Sequence, residues 1–598
     1  MQKQLQSAIF ALVLAPVAMM AQVPITFTNQ TSLLPSVNFS SGNAVGVCDM
    51  NNDGLDDIVR DSVNKKMFID FQQPNGSFTE VSYTTGSFGS PWGLCVGDYN
   101  NDGYNDVFQG SSSNGYLLTS NNAASFTLQN LTSNYGGGSV FTQGCNFFDI
   151  DNDGFLDVFI CHDTGMPKIY KGDGTSGGWT FDQALVPMTQ VPSSDNSGNY
   201  ASIWTDINND GFEDMMITHC RQGVTNASDA RRIDQIFINN GDGTYTQDVT
   251  NWTNLRDGEQ GWSTGWGDID NDGDMDAFVL NQTVNGKLMV NDGSGVFNNM
   301  MSGSGILNPT SWFGENASFH DFDNDGWVDL LLTGDSSILY RNNGDYTFTR
   351  VPANVCPAGN GTGMRGQGVG DLNNDGFLDI YASYCGLYNS PSTSRRDRMW
   401  FNDSPNQGNT NHWIKFNLVG GATSGFSNKN AIGAIIKIYG SFGVQIRDVR
   451  SGEGYGLQNS FTVHFGLGSA ASIDSLMIIW PSGIVDHMLG LNGDVTYTVN
   501  EGQSPLSSHT IPQNPLTVGI FPNPVSGDAF IYLNNFAQYG LKNLSVNVYD
   551  LNGKLVYTKA SLQECIVTIP QGVLNSGMYL VEVRNQSQTL SSEKMMVK

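Results

Sequence analysis

Seven acidic segments repeat along the first two thirds of the sequence, and their residue types suit metal binding. Each follows the nine-residue pattern D-x-[DN]-N-D-G-x-x-D, and they begin at Asp49, Asp98, Asp149, Asp206, Asp268, Asp321 and Asp371. Positions 1, 3, 5 and 9 carry carboxylate or amide oxygens, and Ca²⁺ takes six to eight oxygen ligands. The pattern contains no His or Cys, which disfavours zinc and copper. We therefore predict one Ca²⁺ per segment, about seven ions in all.

The seventh position of the pattern varies in chemistry, which suits a ligand supplied by the backbone carbonyl. The glycine at position 6 allows the sharp turn that such a loop needs. The predicted ligands are therefore positions 1, 3, 5, 7 and 9 of each segment: Asp49, Asn51, Asp53, Leu55, Asp57; Asp98, Asn100, Asp102, Tyr104, Asp106; Asp149, Asp151, Asp153, Phe155, Asp157; Asp206, Asn208, Asp210, Phe212, Asp214; Asp268, Asp270, Asp272, Asp274, Asp276; Asp321, Asp323, Asp325, Trp327, Asp329; and Asp371, Asn373, Asp375, Phe377, Asp379.

Two other interpretations of the pattern were weighed. An EF-hand needs a Glu at position 12 and flanking helices, but the residues there are Arg60, Gln109, Ile160, Ile217, Val279, Leu332 and Ala382. A metal-free hairpin turn of the Asn-Gly type is the second alternative. It would leave three or four carboxylates repelling one another within nine residues. Seven Ca²⁺ ions would instead bring the net charge from −29 to about −15 (−29 + 14).

The elements around each segment are strand-like. The residues after position 9 are apolar and β-branched, and each repeat has a second hairpin signal, such as QIFINNGDGTYTQDVT at 235–250. The segments begin 49, 51, 57, 62, 53 and 50 residues apart. About four strands per period of this length is typical of a propeller blade. We predict an all-β chain whose residues 22–402 form a seven-bladed β-propeller.

These residues resemble the FG-GAP or VCBS repeats of integrin α-subunit propellers and many bacterial surface proteins. The resemblance implies that each acidic loop joins the first two strands of a blade, on one rim of the propeller.

Two further modules follow the repeats. Residues 411–502 contain NHWIKFNL, IGAIIKIYG, RDVRSGEGYGLQ, VHFGLG and LMIIWPSG, and they resemble the ASPIC/UnbV domain found after such propellers and in the cartilage acidic protein family. Residues 403–410 and 503–517 are predicted linkers. Residues 518–598, with GIFPNPVSG and LNSGMYLVEV, resemble the C-terminal sorting domain of type IX secretion substrates, a small β-sandwich. Another adhesive Ig-like domain is the alternative for this last module.

The start of the chain and its composition point outside the cell. Residues 1–21 combine Lys3 with an apolar run and predict a signal peptide. That run is too short to span a bilayer, and no other stretch is long enough. The net charge of −29 argues against nucleic acid as a partner. Of the eight cysteines, Cys356 and Cys385 are a possible bridge, with buried thiols as the alternative. We expect a protein that is secreted or on the outer surface, with the type IX machinery as one partner.

Catalytic motifs are weak. GWSTG at 261–265 matches G-x-S-x-G but lies in a predicted strand instead of a strand-turn-helix elbow. We predict no catalytic residues and no enzyme, but a protein for adhesion or for binding an extracellular glycan or protein. A calcium-dependent polysaccharide lyase or other carbohydrate-active enzyme is the alternative, and it would need a base and cations converging in one cleft.

Two expectations concern the ring itself. The last repeat lacks an outer strand, so residues 24–29 should pair with 397–402 and close the propeller. The longest loops of the rim away from the acidic segments carry paired arginines: Arg231 with Arg232, and Arg395 with Arg396. These four are candidate ligand-binding residues for an anionic glycan or an acidic protein. The alternative is that they pair with local acids such as Asp229, Asp234 and Asp397.

Overall fold

A computed structural model describes residues 23–598 apart from 63–65, 86–90, 189–197, 222, 282–285, 308–313, 353–362, 387–388, 504–516, 535–543, 551–553, 563–565 and 586–587. The predicted signal peptide and Cys356 therefore lie outside the described residues. The chain is nearly all β, which confirms the predicted fold class. In the part that the structure describes, no helix is both long and apolar enough to cross a membrane.

Residues 27–402 build seven sheets with the same meander of antiparallel strands. The strands are β1 (Phe27–Asn29); β2 (Val45–Cys48), β3 (Asp57–Ser62), β4 (Lys66–Gln72), β5 (Phe78–Thr84); β6 (Gly93–Gly97), β7 (Asp106–Gly110), β8 (Gly115–Asn121), β9 (Ser125–Asn130); β10 (Thr142–Phe148), β11 (Asp157–His162), β12 (Lys168–Lys171), β13 (Thr180–Phe181); β14 (Asn199–Thr205), β15 (Asp214–His219), β16 (Gln235–Asn239), β17 (Tyr245–Gln247); β18 (Gly261–Gly267), β19 (Asp276–Asn281), β20 (Lys287–Asn291), β21 (Phe297–Asn299); β22 (Gly314–His320), β23 (Asp329–Gly334), β24 (Ile338–Asn342), β25 (Phe348–Arg350); and β26 (Gly366–Gly370), β27 (Asp379–Ser383), β28 (Arg398–Asn402). In the described residues, a short helix, α1 (Leu131–Asn134), and 3-10 turns at Thr31–Leu33 and Ala230–Arg232 lie between these strands, and a further 3-10 turn, Pro405–Gln407, follows β28.

The sheets are arranged in a ring around their first strands. β2, β6, β10, β14, β18 and β22 contact one another in this order, and β26 contacts β2. The remaining link, between β22 and β26, includes a hydrogen bond of 3.4 Å from Gln367 Nε2 to Ser318 Oγ. Apolar side chains fill the spaces between neighbouring sheets, for example Phe278 and Leu280 against Leu330 and Leu332. This arrangement is that of a propeller.

The ring closes by pairing the two ends of the repeat region. β1 pairs antiparallel with β28, with Phe27 opposite Asn402 and Asn29 opposite Trp400. The seventh sheet therefore has the order β1-β28-β27-β26, and the predicted closure is confirmed. Phe27 is buried and packs edge-on against Phe322 of the sixth repeat, with 5.7 Å between the ring centroids.

The next module packs two sheets face to face. Its strands are β29 (His412–Val419), β30 (Ile435–Gly440), β31 (Gly443–Asp448), β32 (Leu457–Gln458), β33 (Val463–Gly468), β34 (Ser472–Ile479), β35 (Val485–Asn492) and β36 (Val495–Asn500). The sheet β33-β29-β36 faces β31-β30-β34-β35. Phe416 and Phe465 of the first sheet share a buried core with Ile436 and Leu476 of the second.

Residues 449–460 of this module, called here the central segment, pass through the middle of the ring. β32 pairs in parallel with β2 and adds a fifth strand to the first sheet. The segment bonds to the third sheet through Asn146 Nδ2 and Gly452 O at 2.6 Å, and to the sixth through Tyr455 N and Asn316 Oδ1 at 2.7 Å. A Cβ on Gly452 would lie 2.0 Å from the Cys145 carbonyl oxygen, so only glycine fits there. The sequence did not predict this insertion.

The last module is a sandwich of the sheets β37-β38-β41 and β40-β39-β42-β43. Its strands are β37 (Thr517–Phe521), β38 (Ala529–Asn534), β39 (Leu544–Asp550), β40 (Leu555–Ala560), β41 (Ile566–Ile569), β42 (Gly577–Asn585) and β43 (Gln588–Val597). It has its own buried core, which includes Ile531, Val546, Val567 and Val581.

Candidate metal loops and the opposite rim

The seven acidic segments, called here acidic loops 1 to 7 in chain order, all join the first and second strands of their sheets. In loop 1, Asp49 follows β2 directly and Asp57 begins β3. Since the first strands of all seven sheets run in the same sense around the ring, the loops share one rim, called here the loop rim. The placement that the resemblance implied is therefore the observed one.

Two residues in every loop take a left-handed backbone conformation. The glycine at position 6 does so in each loop, as at Gly54 and Gly326 with φ of 83° and 96°. The asparagine at position 4 does so too, as at Asn52 and Asn324 with φ of 60° and 56°. Asparagine tolerates this region better than most residues with a side chain. The invariant Asn of the pattern thus meets the need for a left-handed backbone at position 4. The sequence did not lead us to predict this role.

Backbone N–H groups hold the carboxylates of each loop in a fixed cage. In loop 4, Asp206 accepts hydrogen bonds from Asp210 N at 3.0 Å and Gly211 N at 2.9 Å, and Asp210 accepts one from Phe212 N at 3.0 Å. Asp214 accepts one from Ile207 N at 3.0 Å and one from Asn239 N at 2.7 Å. The position 1 and position 9 bonds recur in the other six loops. The cage orients the side chains without using every oxygen lone pair.

The donor set fits a hard cation. In loops 3, 5 and 6, three carboxylates place oxygens within 4.8 Å of one another: Asp149, Asp151 and Asp157; Asp268, Asp270 and Asp276; and Asp321, Asp323 and Asp325. The buried Oδ1 atoms of Asp151, Asp274 and Asp323 accept no hydrogen bond within the described residues. An oxygen-only cluster with unused buried acceptors is chemistry that a divalent cation such as Ca²⁺ satisfies.

Burial and mutual repulsion disfavour the charged form of these carboxylates. Burial, together with the neighbouring carboxylates, raises the pKa of Asp149 to about 7 and the pKa values of Asp268 and Asp274 to about 8. Burial also raises the pKa of Asp325 to about 8, with Asp321 as the next cause. A cation bound in the loop would lower the pKa values of all these carboxyl groups.

Within the described residues, basic side chains form ion pairs with carboxylates of three of the loops. Lys171 contacts Asp151 and lies 2.8 Å from Asp153 Oδ2 in loop 3. Arg341 contacts Asp323 of loop 6. Lys415, from the module after the propeller, lies 2.7 Å from Asp371 Oδ2 of loop 7, and both side chains are buried. Each of these cations neutralises part of its loop.

The module at 411–502 covers the loop rim. Lys437 Nζ donates to Gly273 O of loop 5 at 2.9 Å and to Asn209 Oδ1 of loop 4 at 3.1 Å. Asn430 accepts from Asp98 N of loop 2 at 2.6 Å. The predicted metal ligands thus lie between the ring and a second domain instead of on a free surface.

Position 8 of the loops supplies further contacts that the sequence analysis overlooked. Asp56 accepts a hydrogen bond from Ser460 Oγ at 2.6 Å, and Asn105 accepts one from Asn430 Nδ2 at 2.8 Å. Glu213 is buried at the same position of loop 4, and the neighbouring Asp448 helps burial to raise its pKa. The signal was present, because position 8 is polar in loops 1, 2 and 4 and apolar in the others.

The four candidate ligand-binding arginines lie at the other end of the ring, called here the opposite rim. They differ in burial and in their hydrogen-bond partners. Arg231 forms two hydrogen bonds to Asp229, at 2.9 and 2.7 Å, and Arg232 is buried and donates to Val224 O at 3.1 Å. Arg395 donates to Cys385 O at 3.0 Å and Arg396 to Asn38 O at 2.6 Å.

The acids weighed as local partners of these arginines have other bonds. Asp234 accepts from His219 N at 2.8 Å, and Asp397 accepts from Ser41 N and from Tyr381 Oη at 2.8 Å. Of these three acids, only Asp229 forms an ion pair with one of the four arginines within the described residues, while Arg232 lies 3.7 Å from Glu259 Oε2.

Three families match the sequence. The family described as FG-GAP-like repeat matches residues 49–109, 98–160, 149–217, 268–332 and 321–382, and these stretches contain all seven acidic loops. The chain carries FG-GAP-like repeats. ASPIC and UnbV matches residues 425–506, and the secretion system C-terminal sorting domain matches 519–598. All three resemblances are confirmed, and we call the second and third modules the ASPIC/UnbV domain and the sorting domain. The sorting domain implies secretion or an outer-surface location.

Solved structures resemble the FG-GAP protein only weakly. A lectin of Agrocybe aegerita that recognises non-reducing terminal N-acetylglucosamine is 14% identical, over 58% of this chain and 86% of its own, with a TM-score of 0.39. SapL1 lectin in complex with alpha methyl fucoside is 12% identical, over 54% and 99%, with a TM-score of 0.32. PorZ, a type IX secretion surface component of Porphyromonas gingivalis, is 10% identical, over 96% and 100%, with a TM-score of 0.19. Structural similarity this weak indicates nothing about the ligand of this chain. No curated protein matches the sequence.

Proposed function

We propose that this chain is an exported, Ca²⁺-loaded seven-bladed propeller that binds an extracellular glycan or protein and does not catalyse a reaction. The observation that carries the proposal is the asymmetry of the ring. The ASPIC/UnbV domain covers the loop rim, as shown by the contacts of Lys415, Lys437 and Asn430. The opposite rim carries the longer loops, and loops on a rigid scaffold commonly form binding sites.

The metal part of the proposal assigns one Ca²⁺ to each acidic loop, held by positions 1, 3, 5, 7 and 9. The caged carboxylates and the unused oxygens of Asp151, Asp274 and Asp323 support it. The role of these ions is structural, because they neutralise carboxylates between the propeller and the ASPIC/UnbV domain. Each site occupied at 100 times its dissociation constant would add about 2.7 kcal/mol of stability.

Calcium binding is tested by scanning calorimetry of the full chain in millimolar Ca²⁺ and in EDTA. We expect chelation to lower the melting temperature by about 10 °C or more, because several sites contribute together. Calcium titration should give about seven ions per chain. Equal melting temperatures in the two buffers would show that the loops are metal-free turns.

Ligand binding is tested with the full Ca²⁺-loaded chain on arrays of glycans and extracellular proteins. The matched variants replace Arg231, Arg395 and Arg396 with Ala. Arg232 is left intact because it is buried and its loss would disturb the fold. If an anionic ligand binds this rim, the triple variant should weaken binding about tenfold or more and reduce its dependence on salt. Release of unsaturated uronate products from a bound polysaccharide would show a lyase instead.

A further inference from the structure

The centre of the opposite rim holds a group of aromatic side chains. Trp92, Tyr200 and Trp262 each stand six residues before the first Asp of their acidic loop, so they occupy equivalent places at the start of three first strands. Tyr455, in the central segment, lies among them. Its ring centroid is 5.7 Å from that of Trp262 and 6.3 Å from those of Trp92 and Tyr200. Aromatic side chains from three blades therefore surround Tyr455, two of them in edge-on contact with its ring.

Polar side chains complete the group on its other side. Asn43, Glu315 and Arg365 hold the same place in the first, sixth and seventh blades. Asn43 Nδ2 is 3.4 Å from Tyr455 O. Arg365 contacts Glu315 and lies 2.5 Å from Asp335 Oδ1. The equivalent positions are thus aromatic in the second, fourth and fifth blades and polar in the other four, with Gln143 in the third.

Three polar atoms of this group are buried and unused. Asn43 Oδ1, Glu315 Oε2 and Tyr455 Oη have no hydrogen-bond partner among the described residues, and their side chains are fully buried. Burial, with Glu315 as the next cause, raises the pKa of the Tyr455 phenol, so its O–H remains a donor at neutral pH. A buried polar atom without a partner costs about 1–3 kcal/mol. Two acceptors and one donor at one place point to a ligand that supplies the missing bonds.

We propose that this axial group, made by Trp92, Tyr200, Trp262, Glu315, Asn43 and Tyr455, binds one uncharged saccharide ring. Trp92 and Tyr200 are half-buried and the other members of the group are buried, so a ligand that reaches the group contacts these two side chains first. The C–H face of a sugar packs on such rings, and its hydroxyls donate to Glu315 and Asn43 and accept from Tyr455. Arg365 compensates the Glu315 charge, which favours an uncharged ligand over a cation. The inference rests on the proposed binding function and assigns to it a site and a ligand class.

The test uses the full chain in Ca²⁺ on an array of neutral and anionic glycans, followed by calorimetric titration with the best neutral oligosaccharide. Tyr455→Phe removes only the hydroxyl and should raise the dissociation constant about tenfold. Trp92→Ala should raise it further. Trp252→Ala is the matched control, because Trp252 is 40% exposed and lies at Gly295 in a hairpin turn of the loop rim. The control should leave the affinity unchanged.

The outcomes separate this inference from the proposed function. Binding of a neutral glycan that is unchanged in both Tyr455→Phe and Trp92→Ala overturns the axial site. So does an array on which only anionic glycans bind, weakened by the arginine variants and untouched by Tyr455→Phe, and in that case the proposed function stands. A protein that binds no glycan and no extracellular protein overturns both. If the Tyr455→Phe variant keeps the melting temperature of the wild type, its weaker binding does not result from unfolding.

Discussion

At the scale of single residues, position 3 of the acidic loops is more permissive than position 5. Four loops have Asn at position 3, as at Asn51 and Asn208, whereas position 5 is Asp in all seven. An amide oxygen can coordinate Ca²⁺ but carries no charge. Asp270 and Asp272 of loop 5 therefore form a matched pair for substitution.

We expect Asp272→Asn to weaken Ca²⁺ binding at the site proposed for loop 5 about tenfold or more, and Asp270→Asn to have a much smaller effect. The replaced carboxylate at position 5 also accepts the Asp274 N–H at 3.2 Å, so it both binds and shapes the loop. Calcium titration of each variant counts the sites that remain. Equal losses in both variants would contradict the ranking of the two positions.

Asp61 supplies a prediction about pH. Its carboxyl is buried, its hydrogen-bond partner is Gln109, and burial raises its pKa to about 8. An exposed Asp has a pKa of about 3.9. The folded chain therefore holds a proton that the unfolded chain releases, and wild-type stability falls as the pH rises between these two values.

Asp61→Asn removes this loss of stability at high pH, because the Asn side chain does not titrate. We expect the variant to be more stable than wild type by about 5 kcal/mol at pH 9, because about four pKa units separate the folded from the unfolded state, and the difference to shrink towards zero below pH 4. Urea unfolding in saturating Ca²⁺ at several pH values measures it. A constant difference across the range would show that Asp61 does not titrate as described.

At the scale of elements, the acidic loops and the closing strand could be predicted, and the central segment could not. The loops repeat seven times, and β1 resembles the outer strands of other repeats, so local pattern was sufficient for both. The central segment is Gly-rich and lacks a hydrophobic period. Its contacts join residues as far apart as Asn43 and Tyr455, which no local pattern encodes. The contacts of Asp56 and Asn105 depend on that packing and were missed for the same reason.

Gln458 tests how firmly the central segment is held. Its side chain is fully buried, accepts from Val96 N at 3.1 Å and Gly452 N at 2.9 Å, and donates to Asn459 O at 2.7 Å. We expect Gln458→Ala to cost about 3 kcal/mol, because it leaves several backbone groups unpaired. Urea unfolding measures the loss, and limited proteolysis should show cleavage within 449–460. Gln407→Ala, at an exposed position, is the control and should behave as wild type.

At the scale of the whole molecule, the propeller and the ASPIC/UnbV domain share a core, whereas the sorting domain has its own. Side chains of the third sheet, such as Phe147 and Phe159, cluster with Phe416 and Ile436 of the ASPIC/UnbV domain. The sorting domain meets the ASPIC/UnbV domain at a smaller contact, where Tyr532 is buried in a cluster with Met477 and Ile479 and Phe521 lies 4.6 Å from Tyr439 between ring centroids.

Two truncations should therefore behave differently. We expect a chain ending at residue 503 to melt within about 3 °C of the full chain, and a chain ending at residue 410 to melt about 10 °C lower or more, since it loses β32 and the central segment. Calorimetry in the same Ca²⁺ buffer measures both. A large drop on removal of the sorting domain alone would contradict the independence of its core.

The passage of the central segment through the ring also sets an order of events during synthesis and export. Tyr455 and Asn43 meet although 412 residues separate them, and β1 must wait for β28. Contacts between such distant residues form slowly and late, because the long intervening chain must be ordered first. The first sheet and the centre of the ring consequently stay unfinished until residue 458 of the ASPIC/UnbV domain is available. The sorting domain follows that point in the chain, so it emerges from the ribosome after the central segment. A chain cut short before residue 458 would lack both the final strand of the first sheet and the export address.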